Sequence, residues 1–115
     1  MPAYQHILVS LDLGPSSAQT LSRAVNLARV YDACLEAVHV VEHQAPMDLD
    51  YGLGGVPGIE LDMAALLEAA RERLDGLMTD AGQEESPREV LAGIAHLEIP
   101  RLAEERGIDL IVMGA

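Results

Sequence analysis

HILVSLDLGPSSAQTLSRAVNLA, residues 6–28, decides the fold. A short apolar run, His6 to Leu11, ends on Asp12. Gly14, Pro15, Ser16 and Ser17 then break the pattern, which is how a strand leaves a sheet. Ser16, followed three residues later by Gln19, matches a capping box. Leu21, Ala24, Val25 and Ala28 then recur at helical spacing, so a helix is expected over 16–31. The period changes from strand to helix across one tight turn, and this is the opening half of a βαβ unit.

The rest of the chain repeats that alternation. Leu35 to Val41 (LEAVHVV) is rich in β-branched residues and reads as a second strand. Residues 44–58 carry Pro46, Pro57 and four glycines and read as a mobile loop. Met63, Leu66, Leu67, Ala70, Leu74, Leu77, Met78 and Ala81 hold the helical period, and Gly82 stands where a left-handed C-cap is wanted. Arg88 to Ala92 is a weaker third strand. Ile99, Leu102 and Ala103 line one face of a third helix that Gly107 ends. Pro100 within it lacks an N–H, so it must sit near the first turn or bend the helix. Asp109 to Met113 (DLIVM) has the continuous apolar character of a buried parallel strand.

Strands alternating with helices over 115 residues predict one domain, residues 1–115, of the α/β class. Right-handed crossovers make its sheet parallel and doubly wound, as in Rossmann-like folds. Such sheets bind ligands beyond the carboxyl ends of the strands, where the winding reverses, which singles out Asp12, Val40 and Gly114. Position alone leaves two roles open for Asp12, capping the turn after strand one or facing a ligand.

Nineteen acidic against seven basic residues give a net charge of −12, which repels nucleic-acid phosphates and anionic membranes. The same excess would keep a surface soluble in a salty cytoplasm. All seven basic residues are arginines, so there is no lysine for a Walker-type phosphate loop or a Schiff base. The single cysteine, Cys34, fits a reducing compartment. The first residues carry neither a basic leader nor an apolar run of the ~20 residues a membrane span needs, so a cytoplasmic location is expected.

Several chemistry-like patterns fail on physical grounds. His39 to His43 spells H-x-x-E-H, but on a strand its histidines stand roughly 13 Å apart, too far for one zinc ion. Gly52 to Gly58 resembles a dinucleotide loop, yet its third glycine falls on Pro57. Asp48 and Asp50 lack a third cation ligand at useful spacing. Ser10, His39 and Asp12 form a triad only on paper, since Ser10 lacks a nucleophile elbow.

HILVSLDLGPSSAQTLSRAVNLA, LEAVHVVE and GIAHLEIPRLAEERGIDLIVMGA, in this order and spacing, resemble the universal stress protein family. The likeness runs from Tyr4 to Ala115. It implies strand order 3-2-1-4 with all strands parallel. It also implies an adenine nucleotide, ATP with Mg2+ as its companion, held near Asp12, Val40, Met113 and Gly114, with Ser10 and Leu11 as neighbouring backbone. Homodimers are common in the family. In the family's pattern Gly114 is the first glycine of a phosphate loop, followed by further glycines, a last helix and a fifth strand. None of these lies within the 115 residues, and continuation past Ala115 is expected. Without them strand four, with Ile111 and Met113, lies at an exposed edge.

Three functions follow from the resemblance. One is a stress-response module binding adenine nucleotide, with at most slow hydrolysis. Another is a stress protein that binds no nucleotide and acts through protein contacts. The third, an enzyme of the related nucleotide α-hydrolases, lacks a candidate nucleophile.

Overall fold

The computed structural model describes residues 4–42 and 63–114. His43, the loop expected over 44–58, its glycines and Asp48 and Asp50 lie outside the described residues.

Seven elements alternate: β1 (His6–Ser10), α1 (Ser17–Tyr31), β2 (Cys34–Glu42), α2 (Met63–Asp80), β3 (Arg88–Gly93), α3 (Ala95–Glu105) and β4 (Leu110–Met113). The strands pair in the order β3-β2-β1-β4, all in parallel, as the sequence and its resemblance predict. In the central register Val9 faces Ala37 on one side and Val112 on the other.

Period-two alternation sorts the strand side chains onto two faces. Ile7, Val9, Leu35, Ala37 and Val90 pack beneath α1 and α2, which contribute Leu21, Ala24, Val25, Ala70, Leu74 and Met78. Leu8, Val38 and Val40 face the other way, against Ile99, Leu102 and Ala103 of α3. The chain therefore winds outward over one face from β1 to β3 and returns over the opposite face to β4. The winding reverses between β1 and β4.

Helix ends follow backbone chemistry. Gly82 is left-handed (φ +73°), and the Gln83 N–H reaches back to the Met78 carbonyl at 2.7 Å, closing α2 as a Schellman turn. Asp32 (φ +52°) does the same work for α1, where the Ala33 N–H meets the Ala28 carbonyl at 2.8 Å.

Three expectations need correction. The capping box at Ser16 does not form: Ser16 has helix-like backbone angles and makes no side-chain cap bond, because Asp12 already serves this turn. The stripe of α2 is buried at Ala70, Leu74 and Met78, but Leu66 near its start is 37% exposed. The β4 strand, whose apolar run reads as covered on both faces, is covered on one only, and it lies at the exposed edge expected for Ile111 and Met113. Leu110 and Val112 pack toward α1, while Ile111 and Met113 are 37% and 60% exposed at the sheet edge.

Candidate functional site

At the carboxyl ends of β1, β2 and β4 the surface opens into a cleft of about 450 Å³. Ser10, Leu11, Asp12, Val40, Met113 and Gly114, the six residues singled out from the sequence and its resemblance, all line it. Pairing explains why residues over 100 positions apart meet: Ser10 stands between Val38 of β2 and Met113 of β4. The β1 and β4 strands end in register, Ser10 beside Met113, while β2 runs on past Val38 to Glu42, so the end of β2 forms one wall of the cleft.

Asp12 does one of the two things its position allows and is placed for the other. Its Oδ1 accepts the Gly14 N–H at 2.8 Å and the Ser17 hydroxyl at 2.9 Å, an Asx turn that starts α1. These two bonds, Gly14 first, hold its carboxyl below the ordinary aspartate range, so it is ionised at neutral pH. It is also exposed and lines the cleft, where a carboxylate accepts hydrogen bonds from hydroxyl or amino groups of a ligand.

The loop carrying Asp12 is anchored from behind. His39 Nδ1 lies 2.7 Å from the Leu11 carbonyl oxygen. A carbonyl can only accept, so Nδ1 carries a proton and donates this bond. Arg73 of α2 donates to the Leu13 carbonyl. Leu13 is left-handed (φ +62°), a conformation costly for a side chain with a Cβ, and its side chain is buried. Burial and the Arg73 bond offset that strain and present the turn to the cleft.

The bond from His39 to Leu11 also disposes of the triad. A triad needs the carboxylate on Nδ1 to set the imidazole, and here a backbone carbonyl holds that atom. Glu42, the acid of the zinc-like pattern, instead accepts the Ala95 N–H at 2.9 Å and caps α3, whose preceding residue Ile94 has no capping side chain. No group of three metal-ligating side chains comes together among the described residues.

Gly114 is a requirement of close approach. A Cβ there would meet the Thr20 hydroxyl oxygen at 2.9 Å, so the backbone of β4 passes against α1 with nothing between. The sequence reading missed Ser17, Thr20, His39, Glu42 and Ile99 as lining residues. For Thr20 the helical period was the available signal, since it lies one turn into a helix whose start faces the crevice. For Ile99 the signal was hidden, because it reads as core and is core, forming the floor of the cleft from α3.

Comparisons with known proteins agree with this architecture. The sequence model of the Universal stress protein family matches residues 3–115. Universal stress protein A homolog 1 of Coxiella burnetii is 33% identical over 112 residues, covering 96% of this chain and 76% of that protein. The structure of universal stress protein UspA from Lactobacillus plantarum superposes with a TM-score of 0.63 at 30% identity, covering 97% of this chain and 77% of the other. A universal stress protein solved in complex with cAMP shares the fold, with a TM-score of 0.57 at 24% identity over 95% of this chain and 70% of its own. With a family model spanning nearly its whole length and a parallel β3-β2-β1-β4 sheet like that of its solved relatives, this chain belongs to the universal stress protein family.

Proposed function

We propose that this chain is a stress-response module that binds an adenine nucleotide, ATP with Mg2+, in the cleft at the carboxyl ends of β1, β2 and β4. The observation that carries the reading is the convergence of Ser10, Leu11, Asp12, Val40, Met113 and Gly114 on one cavity at the point where the winding reverses. Val40, Leu11 and Ile99 give it an apolar floor suited to a purine face, and the ionised Asp12 offers an acceptor to ribose hydroxyls or an exocyclic amine. One relative of the same fold holds cAMP, an adenine nucleotide. A Mg2+ ion would arrive with the phosphates, because it keeps several waters and asks for few protein ligands. Among the described residues that line the cleft no hydroxyl is paired with a base that would activate it, which supports a binding module with at most slow hydrolysis.

Calorimetric titration of MgATP into the chain tests this. Saturable binding is expected, weakened about tenfold in Asp12→Asn, where a neutral acceptor replaces an ionic one. Absence of binding to the unaltered chain would reject the nucleotide reading.

A second reading, action through protein contacts, draws on the edge strand. Ile111 and Met113 are exposed beside the outer backbone of β4, and a second copy could pair there to form the homodimer that the family resemblance implies. Sedimentation of the chain and of Ile111→Lys/Met113→Lys separates the two readings. A dimer lost in the variant, with no nucleotide bound by either, would favour this one.

A further inference from the structure

We infer that the cleft is controlled from α2: the bond from Arg73 to the Leu13 carbonyl is a latch that presents Asp12, and an anionic group arriving on α2 beside Arg73 opens it. The latch acts on function through the reading above that the cleft takes a ligand at Asp12, and it adds the regulation of that site.

Asp12 stands between two buried leucines that are fixed in different ways. Leu11 belongs to the sheet: its N–H donates to the Val38 carbonyl at 3.0 Å, and its own carbonyl accepts from His39 at 2.7 Å. Leu13 is left-handed (φ +62°), and a residue with a Cβ stays so only where its surroundings outweigh the strain. Two things do this. Its side chain is buried in the core beneath α1 and α2, and its carbonyl is held by Arg73. Gly14, next along, gives its N–H to the Asp12 carboxylate. The carboxylate therefore keeps its place through Leu13, and of the two supports only Arg73 can be withdrawn without unpacking the core.

Arg73 is open to competition. It is exposed on α2, and what it holds is a neutral carbonyl. A carboxylate or phosphate offers a guanidinium two parallel, charge-assisted bonds, each roughly twice as strong as a neutral one. The helix itself supplies no such competitor, because the neighbours three and four positions away are Ala69, Ala70, Gly76 and Leu77. Arg101 of α3 shows the other arrangement: Glu98 and Glu105 stand at those spacings, and both pair with it. Ala69 is exposed as well, so an incoming group finds open ground beside Arg73. By linkage, a ligand that binds the cleft through the presented Asp12 must in turn favour the closed latch.

The test places the anion within the chain. Ala69→Glu sets a carboxylate four positions before Arg73, the better orientation for a helical ion pair, and Ala69→Gln is its neutral control. Residues 69 and 73 are exposed, so the core is left intact. The first readout needs no ligand: it is exchange of the Gly14 amide at neutral pH, which the bond to Asp12 protects in the unaltered chain. Exchange about tenfold faster is expected in Arg73→Met and in Ala69→Glu, with no change in Ala69→Gln. Adding Ala69→Glu to Arg73→Met should change nothing further, since the carboxylate acts only through the arginine. MgATP, the probe of the cleft, should bind the two fast-exchanging variants about fivefold more weakly or worse. Gly14 exchange that is the same in Ala69→Glu as in Ala69→Gln, or an effect of Ala69→Glu that persists in the Arg73→Met background, would overturn the inference. So would equal MgATP affinity in all forms. If exchange responds as expected while MgATP binds none of them, the nucleotide reading falls and the latch stands.

Discussion

At the scale of single residues, Asp12 and Asp109 play matching parts at opposite ends of β1. Asp109 accepts the His6 N–H at 2.9 Å and the Gln5 N–H at 3.1 Å, tying the start of β1 to the entry of β4. Backbone bonds, from His6 and Gln5 at one site and from Gly14 with the Ser17 hydroxyl at the other, lower both carboxyls below their ordinary value. A carboxyl with a depressed folded pKa stabilises the protein fully above its unfolded pKa of about 3.9, and that contribution is lost as pH falls through the folded value. Asp12→Asn and Asp109→Asn should therefore lower Tm at neutral pH, and the difference from the unaltered chain should shrink below about pH 4. A difference that widened in acid would contradict this assignment. Gly114 gives a second residue-scale outcome. Gly114→Ala should cost about 1 kcal/mol by pressing on the Thr20 hydroxyl, and Thr20→Ala should recover most of that loss in a double-mutant cycle read by urea unfolding. Asp12 and Gly114 were legible in the sequence because strand ends and permissive glycines leave local marks. The roles of His39 and Arg73 were not, since each acts on a backbone carbonyl of the β1–α1 loop from a remote element, 28 and 60 positions away.

At the scale of elements, periodicity carried nearly all the information, and the departures fall where tertiary structure overrides it. All seven elements stand where their hydrophobic spacing puts them, with ends shifted by a few residues. Leu66 keeps the period of α2 yet is not fully buried, because a stripe can be buried only where a sheet lies beneath it. The α3 helix begins at Ala95, which places Pro100 in its second turn. Its ring therefore removes the bond that an N–H there would make to the His96 carbonyl. Pro100 is exposed, so that carbonyl can turn toward water, and this is why the helix tolerates the interruption. Pro100→Ala should restore the bond and raise stability by about 1 kcal/mol, less than the full cost of an interior proline because the unfolded chain also gains freedom. Thermal unfolding checks this; a lower Tm in the variant would show that the proline is needed to seat Ile99, Leu102 and Ala103 on the sheet.

At the scale of the whole molecule, charge is the dominant unbalanced quantity. The helices α1 and α2 cover one apolar face of the sheet and α3 covers the other at β1 and β2, leaving Ile111 and Met113 of β4 open, and no helix among the described residues is long and apolar enough to cross a membrane. The ion pairs joining Arg88 to Asp75, Arg101 to Glu98 and Glu105, and Arg106 to Glu36 and Glu89 are at least partly open to solvent, where such pairs contribute little. Against them stands the mutual repulsion of an excess of twelve negative charges in one small domain. Salt weakens both, but repulsion reaches across the molecule and is screened first: the Debye length falls from about 30 Å at 0.01 M to about 8 Å at 0.15 M. Contacting ion pairs are far shorter than either length. Tm should therefore rise with sodium chloride across that range, before ion-specific effects at high concentration enter. The rise should be smaller in a variant in which exposed glutamates of the helices, such as Glu72 and Glu104, are replaced by glutamine. A Tm that fell with added salt would mean that the arginine pairs outweigh the repulsion, and the acidic excess would then have to be explained by what the surface binds.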